Sequence, residues 1–157
     1  MVRKGHDDAL FFCCWILNKV AYETNNHLHD VVNQLNPGFL KRLYDYSDVF
    51  HCENPDRMSY EIVIRNQIQE GAFIRKNAPS WTEICYVYHN LIYDLHAEKF
   101  YGDKDILEVF SLVVNHPIGQ ALEVYRNCLY WQSAECIYEC YVNNDLHIMA
   151  VSYTHLR

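Results

Sequence analysis

Hydrophobic positions along the chain recur mainly at helical spacing, and the most regular run lies between residues 80 and 96. Its apolar residues follow the i, i+3, i+4, i+7 pattern and are Trp81, Ile84, Cys85, Tyr88, Leu91, Ile92 and Leu95. Ser80 and Glu83 have the S-x-x-E spacing of a capping box, which marks a helix start. The pattern predicts a central helix near 80–100 that contacts its neighbours on more than one side.

The same periodicity predicts further helices on both sides of this one. They cover about 8–24, 28–35 and 39–50 before it, and about 106–113, 118–129 and 134–141 after it, with Ser133 as the last N-cap. The first helix has a stripe formed by Phe12, Cys13, Ile16 and Val20. Phe11, Trp15 and Leu17 lie outside that stripe, so this helix is apolar nearly all round.

The segment 58–68 is compatible with two structures. Tyr60, Ile62 and Ile64 alternate as in a strand, whereas Tyr60, Ile64 and Ile68 recur as in a helix. Gly and Pro are absent from the segment, and polar residues separate the apolar positions after Ile64, so a helix is favoured. Pro55, following Asn54, suits the first position of such a helix.

These elements predict an all-α fold, an irregular bundle of seven or eight short helices around the central helix near 80–100. We expect an N-terminal helical subdomain over 1–70, a loop over 71–79, and a C-terminal helical subdomain over 80–149 that shares the core. The loop is the best candidate for the boundary, because it has Gly71 and Pro79 at its ends.

Composition narrows the functional classes. Half of the 157 residues are hydrophobic, 15% are aromatic, and the chain has only five Gly and four Pro, which disfavours both disorder and an all-β sandwich. A net charge of −7 disfavours non-specific binding to nucleic acid. No apolar run is long enough to span a bilayer. Seven cysteines without a C-x-x-C motif indicate a reducing cytoplasm.

Four residues form the sharpest candidate for a metal site. Cys85 and His89 are spaced i, i+4 on the central helix, and Cys136 and Cys140 have the same spacing on the last helix. Two such pairs facing each other would supply a Cys3His tetrahedron. The alternative, which we favour, is that the cysteines are packed thiols. We therefore predict no metal and no cofactor, and the chain lacks the P-loop, G-x-S-x-G and H-E-x-x-H motifs of common enzyme classes.

Aromatic residues offer a candidate interaction surface in the second half of the chain. The members are Tyr86, Tyr93, Tyr130, Trp131 and Tyr138. If these side chains are exposed, they can serve as rigid anchors for a protein partner. If they are buried, they are core residues. A helix-turn-helix over 31–50 is a further alternative, but its second helix offers only Lys41 and Arg42 to phosphates.

His51 and Cys52 suggest a nucleophile with its base. Adjacent residues on a helix point about 100° apart. Adjacency therefore does not predict contact between the two side chains, and we predict no catalytic residue.

The last seven residues, Val151–Arg157, read VSYTHLR. They resemble, residue for residue, the translation of a transposase mosaic-end sequencing adapter. The resemblance implies a bacterial chain from a metagenomic assembly, with a non-native tail over 150–157 and a natural sequence that is lost after about Met149.

Several motifs lie between Asp7 and Val63. They are Leu10-Phe11-Phe12-Cys13-Cys14, Tyr22, Val31-Val32 with Leu35, Leu40 with Leu43-Tyr44-Asp45, and Asp48-Val49-Phe50-His51. They resemble the F-C-I-E-like opening and Y-D-x-L-H-like close of a family of short gut-bacterial proteins with a domain of unknown function. Trp15 and Ile16 depart from the family, which has polar residues there. From Ser80 onward the chain is similar to the tails of related gut-bacterial proteins.

The resemblance implies a small helical module, sometimes encoded beside ADP-ribosyltransferase-like proteins. An antitoxin-like or accessory role suits that neighbourhood. We therefore expect a cytoplasmic, non-enzymatic protein that binds a protein partner, such as a neighbouring gene product. The alternatives are a small metal-dependent or redox enzyme and a DNA-binding regulator.

Overall fold

The computed structural model describes residues 5–125 and 129–145, and these residues form nine α-helices and no strand. The all-α class predicted from the sequence is confirmed. The helices are α1 (Asp8–Glu23), α2 (Leu28–Gln34), α3 (Phe39–Asp45), α4 (Ser47–Phe50), α5 (Pro55–Asn66), α6 (Trp81–Ala97), α7 (Ile106–Asn115), α8 (Pro117–Ala121) and α9 (Ala134–Val142). The predicted non-native tail lies outside the described residues.

Local capping signals fix several helix starts. The Asp7 side chain accepts a backbone hydrogen bond at 2.9 Å at the start of α1, and Asn54 does the same for α5, which has Pro55 in its first turn. Glu83 accepts from the Ser80 backbone N–H at 3.0 Å, so the predicted capping box of α6 is present. Helix α5 also confirms helix rather than strand over most of 58–68.

Two predicted helices differ from the observed ones. The helix expected over 39–50 is divided into α3 and α4 at Tyr46, whose φ is −111° and ψ is 23°. The helix expected over 118–129 ends at Ala121. There Val124 donates to the Ala121 carbonyl in a turn, and the Trp131 indole donates to the Tyr125 carbonyl at 3.0 Å. These two hydrogen bonds take the place of the backbone hydrogen bonds that a continuous helix over 118–129 would form.

The described residues fall into two compact units. The N-terminal unit comprises Asp7–His89, and the C-terminal unit comprises residues 5 and 6 together with the described residues from Asn90 onward. The division lies within α6, not in the predicted boundary loop over 71–79. That loop packs inside the N-terminal unit, because Gly71 and Phe73 donate backbone hydrogen bonds to Thr24 and Asn25, both at 2.9 Å.

Helix α1 is the centre of the N-terminal unit. It contacts α2, α3, α4 and α5, and Trp15 contacts the first turns of α6 through Trp81 and Thr82. Its buried apolar residues are Leu10, Phe12, Cys13, Cys14, Ile16, Leu17, Val20 and Ala21. A helix that is apolar nearly all round must be covered on several sides, which explains this arrangement.

The C-terminal unit has its own core, built by α7, α8, α9 and the end of α6. Phe110 and Ile137 are buried there, and the Tyr101 and Tyr141 hydroxyl groups are hydrogen-bonded at 2.6 Å. Gly119 allows α8 to approach α7, since a Cβ at this position would overlap the Val113 carbonyl. No helix in the described ranges is both long enough and apolar enough to cross a bilayer.

Candidate functional site

The first predicted metal-ligand pair already has protein partners in the N-terminal unit. The Cys85 thiol donates a hydrogen bond to the Trp81 carbonyl at 2.7 Å and accepts one from the Asn18 side-chain amide at 3.8 Å. Burial raises the pKa of Cys85, which keeps the thiol protonated. The Nε2 atom of His89 accepts the Asp7 backbone N–H at 3.0 Å. The Cys85 thiol and the His89 imidazole therefore both contribute to packing between α1 and α6.

The second pair lies on α9 in the C-terminal unit. Burial, with Cys136 beside it, raises the pKa of Cys140 to about 11. A metal ligand must be a thiolate, so this environment disfavours metal binding at neutral pH. Each pair belongs to a different unit, and the four-ligand site stays an untested alternative to packed thiols.

The five aromatic candidates have different environments. Tyr86 is 50% exposed and Trp131 is 62% exposed, whereas Tyr130 is only 7% exposed. Tyr93 and Tyr138 are half-buried. Tyr130 is therefore a core residue of the C-terminal unit, with its ring packed edge-on against the Trp131 ring. Tyr86 belongs to the N-terminal unit, where it extends the site described next.

A groove of about 550 Å³ lies between α1 and α4. Its lining residues are Asp8, Phe11, Phe12 and Trp15 of α1, together with Ser47, Asp48 and His51 at α4. We call it the α1–α4 groove. Its volume is within the range of ordinary ligand pockets, and its lining combines aromatic rings with a small number of polar groups.

The groove exists because α1 has a second apolar face. Asp8, Phe11, Phe12 and Trp15 are spaced i, i+3, i+4, i+7 and therefore line one side of the helix. The opposite side is buried in the core of the unit. The break at Tyr46 separates the four residues of α4 from α3 and lets α4 form the second wall.

The aromatic rings of the groove are held by neighbouring side chains. The Trp15 indole donates to the Thr82 hydroxyl at 3.1 Å, and the Phe12 and Trp15 ring centroids are 6.5 Å apart. Phe11 packs on Tyr86 with a centroid distance of 4.7 Å. The aromatic surface thus continues from the groove to the exposed Tyr86 ring, and its geometry is largely fixed before any partner binds.

A second contact fixes the groove at the start of α1. The Tyr44 hydroxyl donates to the Asp7 carboxylate at 2.6 Å, and the other oxygen of this carboxylate caps α1. Burial and the nearby Asp7 charge raise the pKa of Tyr44, so the hydroxyl remains a donor at neutral pH. This hydrogen bond therefore links α3 to the start of α1, where Asp8 lies.

The rim of the groove is acidic. Asp8 and Asp48 supply carboxylates, and none of the lining residues is a lysine or arginine. Beside the rim, the Cys52 thiol lies 3.9 Å from His51 Nδ1 and 3.5 Å from the Asp48 carbonyl. The sequence argument against a His51–Cys52 contact does not hold, because both residues lie in the turn that follows α4.

Sequence reasoning missed this groove. Phe11 and Trp15 were recognised as additional apolar positions, but their pairing with α4 depends on the break at Tyr46. The helix-turn-helix alternative stays untested, and Lys41 is ion-paired with Asp45 at 2.6 Å. No protein-family model matches the chain, and searches of curated proteins and of solved structures returned no significant match.

Proposed function

We propose that this chain is a protein–protein interaction module that binds its partner through the α1–α4 groove. The observation that supports the proposal is the groove itself, a concave surface with three aromatic side chains in its lining. Aromatic residues in preformed concavities are typical anchors of protein interfaces. The exposed Tyr86 ring next to Phe11 enlarges this surface.

The proposed partner is a neighbouring gene product, to which the chain is an accessory or neutralising protein. This part of the proposal depends on the resemblance to short gut-bacterial proteins. We also propose a cytoplasmic location. Six cysteines among the described residues are free thiols, and four of them are buried, which suits a reducing compartment.

Direct binding measurements with a blocked groove test this proposal. Purified products of the genes adjacent to the native locus are titrated into the chain by calorimetry. Ser47→Trp places a bulky side chain into the groove lining, and Ser111→Trp makes the same change on α7 as a control. We expect one product to bind with micromolar affinity or better, with an affinity at least about tenfold weaker for Ser47→Trp alone.

Two results would contradict the proposal. Absence of binding by every neighbouring product would remove the accessory role. Equal affinity of Ser47→Trp and the unsubstituted chain would show that binding occurs elsewhere. Circular dichroism of each variant establishes that the fold is retained.

The second candidate function is thiol chemistry at Cys52, the redox-enzyme alternative. It is favoured by the 3.9 Å separation between the Cys52 thiol and His51 Nδ1. An enzyme of this kind requires rapid alkylation of Cys52 by iodoacetamide and a large loss of rate in His51→Gln. The interaction proposal instead predicts the rate of an ordinary exposed thiol in both proteins, measured by peptide mass spectrometry.

A further inference from the structure

A smaller pocket in the N-terminal unit is lined by α3, α5 and the end of α4. It shares no lining residue with the α1–α4 groove, and its volume is about 60 Å³. We call it the α3–α5 pocket. Its lining combines five apolar side chains with four charged ones, which are Phe39, Leu43, Phe50, Met58 and Ile62, and Arg42, Glu53, Glu61 and Arg65.

The apolar part of the lining follows from helix periodicity. Phe39 and Leu43 are spaced i, i+4 on α3, and Met58 and Ile62 have the same spacing on α5. Leu43, Met58 and Ile62 are buried. The base of the pocket is therefore apolar and shielded from water, so it suits the apolar part of a ligand.

Arg65 lines the pocket without a carboxylate partner. Glu61 is spaced i, i+4 from both Arg57 and Arg65, so helical spacing alone would allow it to bind either one. The structure pairs it with Arg57, whose Nε lies 3.4 Å from a Glu61 oxygen. Within residues 5–125 and 129–145, the Arg65 guanidinium has no ion pair.

Arg42 has a similar environment on α3. Asp45 follows it by three residues but is ion-paired with Lys41 at 2.6 Å. Glu53 is the remaining carboxylate of the lining, and it is ion-paired with no described residue. In the part of the chain that the structure describes, the pocket therefore has two unpaired positive charges, Arg42 and Arg65, against one unpaired negative charge.

We propose that the α3–α5 pocket binds a small monocarboxylate with a short apolar chain. Arg42 and Arg65 supply N–H donors to the carboxylate, a group that guanidinium binds well. The apolar base takes the chain, since a volume of about 60 Å³ has room for roughly four to six groups the size of a water molecule. Glu53 disfavours a second negative charge on the ligand. This inference does not rest on partner binding at the α1–α4 groove.

Four ligands with the same chain length test the inference. They are hexanoate, hexanol, hexylammonium and the dicarboxylate adipate. Each is titrated into the full chain carrying ¹³C-methyl methionine, and the Met58 methyl signal, assigned with Met58→Leu, reports on the pocket base. We expect hexanoate to shift this signal with a dissociation constant below about 1 mM. The other three ligands should bind at least about tenfold more weakly.

Matched charge variants locate the carboxylate. Arg42→Gln with Arg65→Gln should weaken hexanoate binding by at least about tenfold. Lys99→Gln with Lys104→Gln removes the same charge from the C-terminal unit and should leave the affinity unchanged. All four side chains are exposed, so both variants should fold, which circular dichroism establishes. Glu53→Gln should reduce the discrimination against adipate.

Three results would overturn the inference. Equal binding of hexanol and hexanoate would show that the pocket does not recognise an anion. An equal loss of affinity in the lysine variant would attribute the effect to overall charge. A Met58 signal that hexanoate does not shift would show that the pocket is not used. None of these results bears on the α1–α4 groove, which Ser47→Trp tests separately.

Discussion

Two aromatic and acidic clusters lie at different ends of the same helix, and only the first of them is built around a buried lysine. Near the end of α1, Lys19 lies between Glu23 and Asp56 and over Trp81. Near its beginning, the α1–α4 groove has rings and carboxylates without a basic residue in its lining. Under the proposed function, the first cluster contributes to stability and the second to partner binding.

The burial of the charged groups explains the difference in role. The Lys19 side chain is 4% exposed, so its ammonium depends on protein partners for the hydrogen bonds that water no longer supplies. Burial alone would lower the pKa of Lys19, but the Asp56 and Glu23 hydrogen bonds outweigh this effect and raise it. Asp8 and Asp48 are exposed, so water can reach both carboxylates.

Neutralising the carboxylates of each cluster should separate the two roles most strongly. Glu23→Gln with Asp56→Asn leaves a buried ammonium without a counter-charge and should lower the free energy of unfolding by about 3 kcal/mol. The matched pair Asp8→Asn with Asp48→Asn should cost less than about 1 kcal/mol, mainly through the helix dipole. Urea unfolding followed by circular dichroism measures both. Equal losses would remove the distinction between the clusters.

Each cluster also contains a serine, which allows a second matched test. The buried Ser59 hydroxyl donates to a Glu23 oxygen. Ser59→Ala should lower the free energy of unfolding by about 1.5 kcal/mol, because it removes a hydrogen bond to a charged group. Ser47→Ala in the groove should change it by less than about 0.5 kcal/mol. A larger loss of unfolding free energy in Ser47→Ala than in Ser59→Ala would contradict a mainly stabilising role for the Lys19 cluster.

The aromatic contribution is expected to be smaller. Trp81→Phe keeps a ring beneath Lys19, whereas Trp81→Leu removes it. The leucine variant should therefore be less stable than the phenylalanine variant by about 1 kcal/mol, the size of a partly desolvated cation–π contact. Thermal unfolding of the two variants at one pH measures the difference. Equal melting temperatures would show that Trp81 contributes only apolar packing.

Alkaline pH provides the most subtle test. The folded protein holds the Lys19 proton more tightly than the unfolded chain, whose lysine pKa is about 10.4. The stabilisation is therefore complete below that value and is lost as pH rises through the raised folded pKa. The stability difference between the unsubstituted chain and Lys19→Met should stay constant from pH 7 to pH 9.5 and shrink above about 10.5. A decrease already near pH 8 would mean that burial dominates.

Local sequence signals predicted much of the fold. The Ser80–Glu83 box, Asn54 with Pro55, and Ser133 mark helix starts that the structure confirms. The end of α8 at Ala121 was not predictable from the apolar spacing, which continues through Leu122 and Tyr125.

The two clusters differ in how many of their contacts could be predicted from the sequence. Lys19 and Glu23 are spaced i, i+4, which is a readable helical ion pair. Asp56 joins them only through the packing of α5 on α1. Likewise, Phe11 and Trp15 are visible as extra apolar positions, but the wall that turns them into a groove is a four-residue helix set by the break at Tyr46. Both clusters are completed by residues that only tertiary packing brings together, and a single sequence does not reveal that packing.

The three tryptophan indole signals in a ¹H–¹⁵N NMR spectrum test the central claim most directly. They are assigned with single Trp→Phe variants, and the neighbouring gene product that binds in calorimetry is then titrated into the full chain. We predict that the Trp15 signal shifts with saturation, while the Trp81 signal beside Lys19 and the exposed Trp131 signal stay in place. A shift of Trp81 or Trp131 instead of Trp15, or no shift at all, would contradict partner binding at the α1–α4 groove.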